Sequence, residues 1–491
     1  MSVVILKELE TYVVDREIEE NNLLKLFDLE NNVSKFNNII EELNNTTFLI
    51  HRKPTLSLSE LSTTYQLDDE VDEIPNHLRN KETFQFSFVG VIFIMDVSII
   101  IYPKHIENIE DDIKHNFIKF RQILKVIECY HKRQQQNIDL TIGEESTSRN
   151  KFSIALQLLD YYAEHGLYTF ENNIIEENGE GYIVWEKTIN EKSVVFSGNS
   201  PIYISPYTES TVTNELHIIR QIQLGVLSDI QNQFGDIISI VNYTIPNESS
   251  ILLEDLGDKD QLISRLEIES YSEFVSHKLY LINLLKMYLL DKINETTTDS
   301  LVVYGVSKFA PVWEDVCKKV YKDHLENKLK DFDLKPVGNL NQDSKLKDVV
   351  EPPNWYNISE EKNYQASKSL ELDVLHIDSD TFHIYDGKYY LIEFDGTHIK
   401  KAPGVGDITK QYLYQQAYAK LAKKNGYRFT NKFIVPKDNL KADNGQGVLI
   451  ATVSLPLFES FDLSKIEVIA RDCETFFNEY LDESNFPMYL S

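Results

Sequence analysis

Apolar positions cluster most densely between residues 84 and 104, where FQFSFVGVIFI and VSIIIYPK flank Met95–Asp96. β-branched residues dominate both halves, so the run predicts a hairpin turning at Met95–Asp96 and ending at Pro103, which has no N–H for a ladder. Asp96 in the middle argues against a membrane span. Residues 1 to 75 read as short helical stretches between Asn-rich turns. From His115, HNFIKFRQILKVIECYHKR repeats apolar residues at helical spacing, and KFSIALQLLDYYAEHG predicts a second helix closed by Gly166. The polar stretch 134–150 between them reads as an exposed loop.

Further along, GYIVWEKTI reads as a strand, TNELHIIRQIQLGVLSDIQNQFG as a helix ending near Gly235, and SEFVSHKLYLINLLKMYLLDKI as another helix. The turn NETTTDS then marks a main boundary near residue 300. Beyond it the pattern predicts a helix from Phe309 to about Leu329 and a polar linker, KDFDLKPVGNLNQDSKLKDVVEPPNWYN, whose three prolines suggest mobility. Two strands follow, around Leu372–Ile377 and Phe382–Ile392, joined by an Asp378–Ser379–Asp380 turn; then come a loop, a helix and more strands. No solenoid-type repeat is present. These elements give an α/β (α+β) class, a mixed sheet flanked by helices behind a mixed α/β N-terminal region. Three segments are expected: 1–175 for partner or DNA contact, 176–300 as a middle helical and strand region, and 301–491 carrying the chemistry.

At 491 residues, with 42% hydrophobic and 11% aromatic residues, two or three domains with sizeable cores are expected. Cys129, Cys317 and Cys473 lie far apart with no CxxC pair, which excludes a disulfide framework and fits a reducing cytoplasm. MSVVILKELETYVVDREIEE meets acidic residues too early for a secretory signal. The net charge of −29 counts against nucleic-acid binding taken alone. From Asp386 to Lys441, however, eleven Lys/Arg stand against five Asp/Glu, a local +6 that leaves about −35 elsewhere. Such an island can steer a polyanion to one face.

LELDVLHIDSDTFHIYDGKYYLI carries the chemistry. Asp373 begins the first strand, while Asp386 and Lys388 stand two apart on the second and so share a face. Two carboxylates and an ammonium suit phosphodiester hydrolysis: oxygens for Mg²⁺, and a cation to orient or deprotonate water and stabilise the pentacovalent phosphate. Gly387 between them allows close approach of other backbone or of DNA. A solvent-facing hairpin with an Asp–Lys pair is the plain alternative. Downstream, GTHIKKAPGVGDITKQYLYQQAYAKLAKKNGY offers a Pro/Gly turn, Asp407 as a helix N-cap, and Lys410, Gln411 and Tyr414 in the first two turns. Tyr414, Ala417, Tyr418 and Leu421 would form that helix's buried stripe. GVGDITK lacks P-loop spacing, the Asp378–Asp380–Asp386 series fails the EF-hand pattern, and His376, His383 and His398 read as packing or exposed residues. Trp185 and Trp313 read as core anchors.

This hairpin followed by a helix resembles the core of the PD-(D/E)xK nucleases, and YDGKYY with PGVGDITKQYLYQQAY resembles the LlaJI family of restriction endonuclease subunits, related to McrC. FVGVIFI…IIIYPKHI, GYIVWEKTIN and VYGVSKFAPVWEDVCKKVY resemble that family's N-terminal hairpin, central segment and nuclease-opening helix, over about residues 80 to 490. The resemblance implies Asp373, Asp386 and Glu314 as Mg²⁺ ligands (Mn²⁺ as substitute), Lys388 as catalytic lysine, and Gln411 and Tyr414 as supporting or DNA-backbone residues. Leu372 stands where the motif has Pro, and Gly387 where relatives tend to have Ala. It further implies a deoxyribonuclease acting on double-stranded DNA in host defence in the cytoplasm, with a separate McrB-like AAA+ GTPase as partner and two nuclease sites meeting at cleavage. Two rivals stand beside it: a non-catalytic assembly subunit stimulating a partner GTPase, and a stand-alone type II enzyme.

Overall fold

The computed structural model of the chain describes residues 2–15, 21–52, 78, 81–107, 113–139, 151–240, 243–246, 251–291, 301–441, 445–461, 463 and 465–481. Its packing separates two units, Met1–Glu145 with Ser300–Ser491, and Ser146–Asp299. The chain passes between the units near residues 145 and 300. The grouping differs from three consecutive segments, because a strand just after residue 300 pairs with the early hairpin.

In the first unit, β1 (Ser2–Lys7), β2 (Val89–Ile94), β3 (Val97–Tyr102) and, after the long helix α1 (Ile113–Asp139), β4 (Leu301–Val306) form a sheet in the order β1-β3-β2-β4. β2 and β3 make the expected hairpin, with Met95 in the left-handed region at φ 53°. β1 runs parallel to β3, and β4 antiparallel to β2. Residues Thr83–Phe86 do not extend β2: they pair with Tyr12–Val13 and Leu49–Arg52 in a separate sheet. The Ser87 amide donates to the Phe48 carbonyl, which turns the chain from one sheet into the other. Residues 134–139, expected in a loop, continue α1; the remainder of that loop, and the NETTTDS turn, lie outside the described residues.

The same unit holds a five-stranded sheet. Its elements are α2 (Ala310–Val320), β5 (Val374–Asp378), β6 (Thr381–Gly387), α3 (Val405–Asn425), β7 (Arg428–Lys437), β8 (Val448–Val453), β9 (Ile466–Asp472) and α4 (Cys473–Leu481). Strand order is β5-β6-β7-β9-β8, antiparallel at both outer pairs and parallel between β6, β7 and β9. Leu375, Ile377, Phe382 and Ile384 bury one face against Tyr414, Tyr418 and Leu421 of α3, the stripe read from helical spacing. Trp313 of α2 is wholly buried, its indole N–H donating to the Ile434 carbonyl at 3.0 Å.

Several elements depart from the sequence reading. α2 stops at Val320 rather than near Leu329, because Lys322 adopts φ 53° and the Asp323 carboxylate accepts from the Leu325 and Leu375 amides. β6 ends at Gly387, five residues early. The linker expected to be mobile is packed. Leu329, Leu334 and Leu346 are buried in the α3 core, the Leu346 amide donates to the Asn327 carbonyl at 2.9 Å, and the Tyr418 hydroxyl donates to the Leu346 carbonyl at 2.8 Å. Isolated leucines between polar residues leave no period to read, so tertiary burial decides here.

In the second unit, helices Lys151–His165, Ile218–Ile240, Lys259–Ser272 and Ser276–Asp291 pack together beside a three-stranded antiparallel sheet of Glu171–Glu177, Tyr207–Thr213 and Tyr182–Ile183. WEKTI, expected as strand, is helical over Trp185–Glu191: the Thr188 hydroxyl is buried as acceptor for the Tyr207 amide, and Trp185 is 55% exposed rather than a core anchor. The helix expected to stop near Gly235 runs on to Ile240. Burying Ile237 and Ile238 outweighs the ~1 kcal/mol that one helical glycine costs. No helix among the described residues is long and apolar enough to cross a membrane.

Because Leu346 is fully buried, Leu346→Ala should lower unfolding free energy by about 2–5 kcal/mol, read as a fall in the urea midpoint. An unchanged midpoint would mean that the linker contributes nothing to the core.

Candidate active site

The β5–β6 hairpin turns through Ser379 (φ 50°) and Asp380, with Asp378 paired to Thr381. From that turn the register runs to Val374 opposite Tyr385, so one further step sets Asp373 across from Asp386. Strand alternation then sends Asp373, Asp386 and the following Lys388 toward the face covered by α3. Asp386 is 5% exposed. Asp373 is steadied by the Gly387 amide, which donates to its Oδ2 at 3.0 Å. The two carboxylates and the lysine singled out in the sequence therefore meet in one place.

Lys388 continues the ladder one residue past β6, its amide donating to the Ile434 carbonyl at 2.9 Å. Its Nζ lies 3.1 Å from Asp386 Oδ1 and 3.2 Å from Asp407 Oδ1. Asp407 is not the expected N-cap. α3 starts at Val405, with extended Gly404 (φ −73°, ψ 173°) as cap and the Ile408 amide donating back to the Gly404 carbonyl. That places Asp407 inside the first turn, where the helix dipole favours a carboxylate and its side chain reaches Lys388. Sequence reasoning had assigned Asp407 a capping role and missed it as a member of the site.

Burial drives the Asp386 carboxyl well above the ordinary carboxylate range, with the Asp373 charge adding to the effect and Lys388 opposing it. Burial works against the Lys388 charge, but Asp386, Asp407 and Asp373 outweigh it and hold the ammonium above its usual value. Tyr414 is pushed up to about 12 by burial and by the same carboxylates. Although Lys388 lies within ion-pair distance of Asp386 Oδ1, that buried oxygen receives no well-directed hydrogen bond. Three carboxylates around one ammonium leave the site short of positive charge, with a hard oxygen donor to spare.

The Tyr414 hydroxyl donates to the Glu371 carbonyl at 2.5 Å, holding the chain two residues before Asp373. Gln411 is wholly buried; its amide donates to the Lys432 carbonyl at 3.3 Å, and its Oε1 has no hydrogen-bond partner. Both side chains face inward, bracing the site rather than lying open to a ligand. Lys410 is exposed on α3. Glu314 stands on α2, across the sheet: a Cβ on Gly387 would lie 3.1 Å from Cys317 Sγ and 3.3 Å from Glu314 Cα. The backbone that approaches Gly387 closely is thus that of α2. Among the described residues no group of three or more His, Cys, Asp or Glu side chains is arranged to hold a metal, so what the structure gathers is two facing carboxylates with a lysine.

Comparison with known proteins adds an independent line. The family model described as LlaJI restriction endonuclease matches residues 88–454. The chain is 29% identical over 408 residues to the type II restriction enzyme BsuMI component YdjA of Bacillus subtilis (strain 168), covering 82% of each. Among solved structures, it is similar to a half-complex of Thermococcus gammatolerans McrB AAA+ hexamers with bound McrC, at 10% identity, TM-score 0.36 and 99% of each chain. It is also similar to the McrBC complex of the same organism, at 10% identity and TM-score 0.25, over 66% of this chain and 88% of that one.

A carboxyl raised in the folded state binds more protons folded than unfolded between its two pKa values, so its contribution to stability is present at low pH and lost as pH rises through the folded value. Asp386→Asn removes that loss. Without divalent cations it should melt a few degrees above wild type at pH 8, the gap closing toward pH 4 in calorimetry. A variant melting below wild type at pH 8 would show that the Asp386 charge is well compensated.

Proposed function

We propose that this chain, which belongs to the LlaJI restriction endonuclease family, is the DNA-cutting subunit of a restriction system, with a PD-(D/E)xK-type site built on Asp373, Asp386 and Lys388. The observation that carries this reading is the register placing Asp373 across from Asp386, with an unsatisfied Asp386 oxygen beside Lys388. Two hard oxygen donors fit Mg²⁺, with Mn²⁺ as substitute, because Mg²⁺ commonly takes one or two carboxylates and fills its remaining positions with water and phosphate oxygens. Bound there, the cation would acidify a water and neutralise charge on the scissile phosphate.

The remaining roles belong to the chain. Asp373 and Asp386 hold the cation, and the Gly387 amide fixes the Asp373 carboxylate. Lys388, kept protonated by its carboxylate neighbours, sets a positive charge beside the phosphate and stabilises its transition state, a role that suits it better than taking a proton. Asp407 aims that ammonium. Tyr414 and Gln411 hold the incoming strand and α3 in place. Glu314, whose Cα would lie 3.3 Å from a Cβ on Gly387, is the third ligand that α2 would bring to the cation.

Delivery of DNA by a partner suits the charge distribution. Much of the basic island is engaged locally: Lys400 with Asp395, Lys401 with Glu393, Arg428 with Asp380, Lys432 with Glu467. Such exposed pairs contribute little to stability and exchange readily for phosphate, yet they offer a weak long-range pull on an acidic chain. A separate McrB-like AAA+ GTPase, engaged through the N-terminal region in the cytoplasm, would supply the grip, and two such sites would meet for double-strand cutting. A relative's being termed a restriction enzyme component accords with a multi-subunit enzyme.

Asp386→Ala and Lys388→Ala, each assembled with the partner, should lose about 10²–10³-fold in Mg²⁺-dependent cleavage of plasmid DNA while partner GTP hydrolysis is retained. Wild-type cleavage by Asp386→Ala would sink the site assignment. Absence of cleavage by the wild-type assembly, with GTPase stimulation intact, would favour the non-catalytic reading.

A further inference from the structure

Lys388 sits where β6 has ended, and residues 388–392 belong to no strand. What fixes this segment is on the other side of the chain. Tyr389 is 3% exposed, and its hydroxyl donates to Glu8 Oε2 at 2.8 Å. The same hydroxyl lies 3.3 Å from His105 Nδ1, and the same Glu8 oxygen accepts the Lys104 amide at 3.1 Å. The tyrosine ring packs at 5.4 Å against Phe309 and edge-on at 6.0 Å to His105, with Lys104 Nζ 4.6 Å above it. Glu8 directly follows β1, and its amide donates to the Tyr102 carbonyl at 2.8 Å, so it is anchored in the N-terminal sheet.

We propose that Glu8, acting through the Tyr389 hydroxyl, is a positioning residue for Lys388. The Tyr390 amide donates to the Lys388 carbonyl at 2.9 Å, a tight turn centred on Tyr389, so clamping the Tyr389 side chain fixes the turn at which Lys388 leaves the ladder. A carboxylate only 5% exposed is an expensive way to fill space, since an apolar side chain would pack there without desolvation. Its gain is directional. Burial raises the Glu8 carboxyl and lowers His105 to about 3, which leaves the imidazole neutral. A neutral ring with Nδ1–H toward Tyr389 and an unpartnered Nε2 gives one donor sequence, His105 to Tyr389 to Glu8.

The inference rests on the proposed catalytic role of Lys388, but its test does not need cleavage. The full chain, free of divalent cations, is treated with formaldehyde and borohydride, and the rate of Lys388 dimethylation is followed by mass spectrometry. Tyr389→Phe, which keeps the ring, and Glu8→Leu should each raise that rate about tenfold. Glu8→Gln, which keeps an acceptor for the hydroxyl, should stay within about twofold of wild type. Lys119, buried in the same unit, should be unaffected. Lys388 labelling at the wild-type rate in Tyr389→Phe and Glu8→Leu, or a parallel rise at Lys119 that marks general loosening, overturns the proposal. Where the wild-type assembly cuts DNA, Tyr389→Phe should lower kcat with KM unchanged, and unchanged kcat likewise overturns it. A wild-type assembly that does not cut defeats the functional reading and leaves the labelling result to judge the positioning role.

Discussion

Two carboxylates set face to face across a hairpin, one of them almost out of water, form the constraint around which the five-stranded sheet of this chain is arranged. Asp373 and Asp386 repel, and burial raises the cost of charging Asp386. Nothing nearby cancels that cost completely: Lys388 is shared between Asp386 and Asp407, and Asp386 Oδ1 stays without a directed hydrogen bond. The fold holds this arrangement through interactions spread well beyond it. The register from Asp378 to Val374 aligns the pair, Tyr414 pins the chain before Asp373, and α2 closes on Gly387 from behind. A site that stays electrostatically incomplete needs a rigid surround, and this sheet supplies one.

The parts readable from sequence were those whose side chains repeat. A period of two with an Asp-Ser-Asp turn announced β5 and β6, and helical spacing announced the stripe of α3. Asp373, Asp386 and Lys388 lie on that hairpin or at its end, so their meeting could be expected from its register. Elements decided by single distant contacts were not readable. Leu346 has no apolar neighbour at a regular interval, yet it is fully buried. WEKTI has strand-like composition, but the buried Thr188 hydroxyl fits a helix. Asp407 looked like a cap because it follows a Pro/Gly turn. Three residues' difference in where the helix starts made it a partner of Lys388. Glu8 lies 381 residues from its hydrogen-bond partner and offered no local signal.

The arrangement also separates two kinds of buried polar group. Gln411, Asn431 and Gln415 join α3 to β7 through amide hydrogen bonds, neutral contacts that fix one helix on one strand. Lys119 with Asp438, and Glu8 with Tyr389, instead tie N-terminal elements to the five-stranded sheet and the segment after β6 through groups that carry or can carry charge. Such contacts lose much when one partner is displaced, so relative movement of the two sheets would be felt at the site.

The tie from Glu8 to Tyr389 bears on biosynthesis. The N-terminal strand leaves the ribosome first, and it must wait for the polypeptide to reach residue 389 and beyond before this contact can close. Pairings of such long sequence separation form late in folding. A geometry fixed through this contact therefore exists only once segments 381 residues apart have folded onto each other.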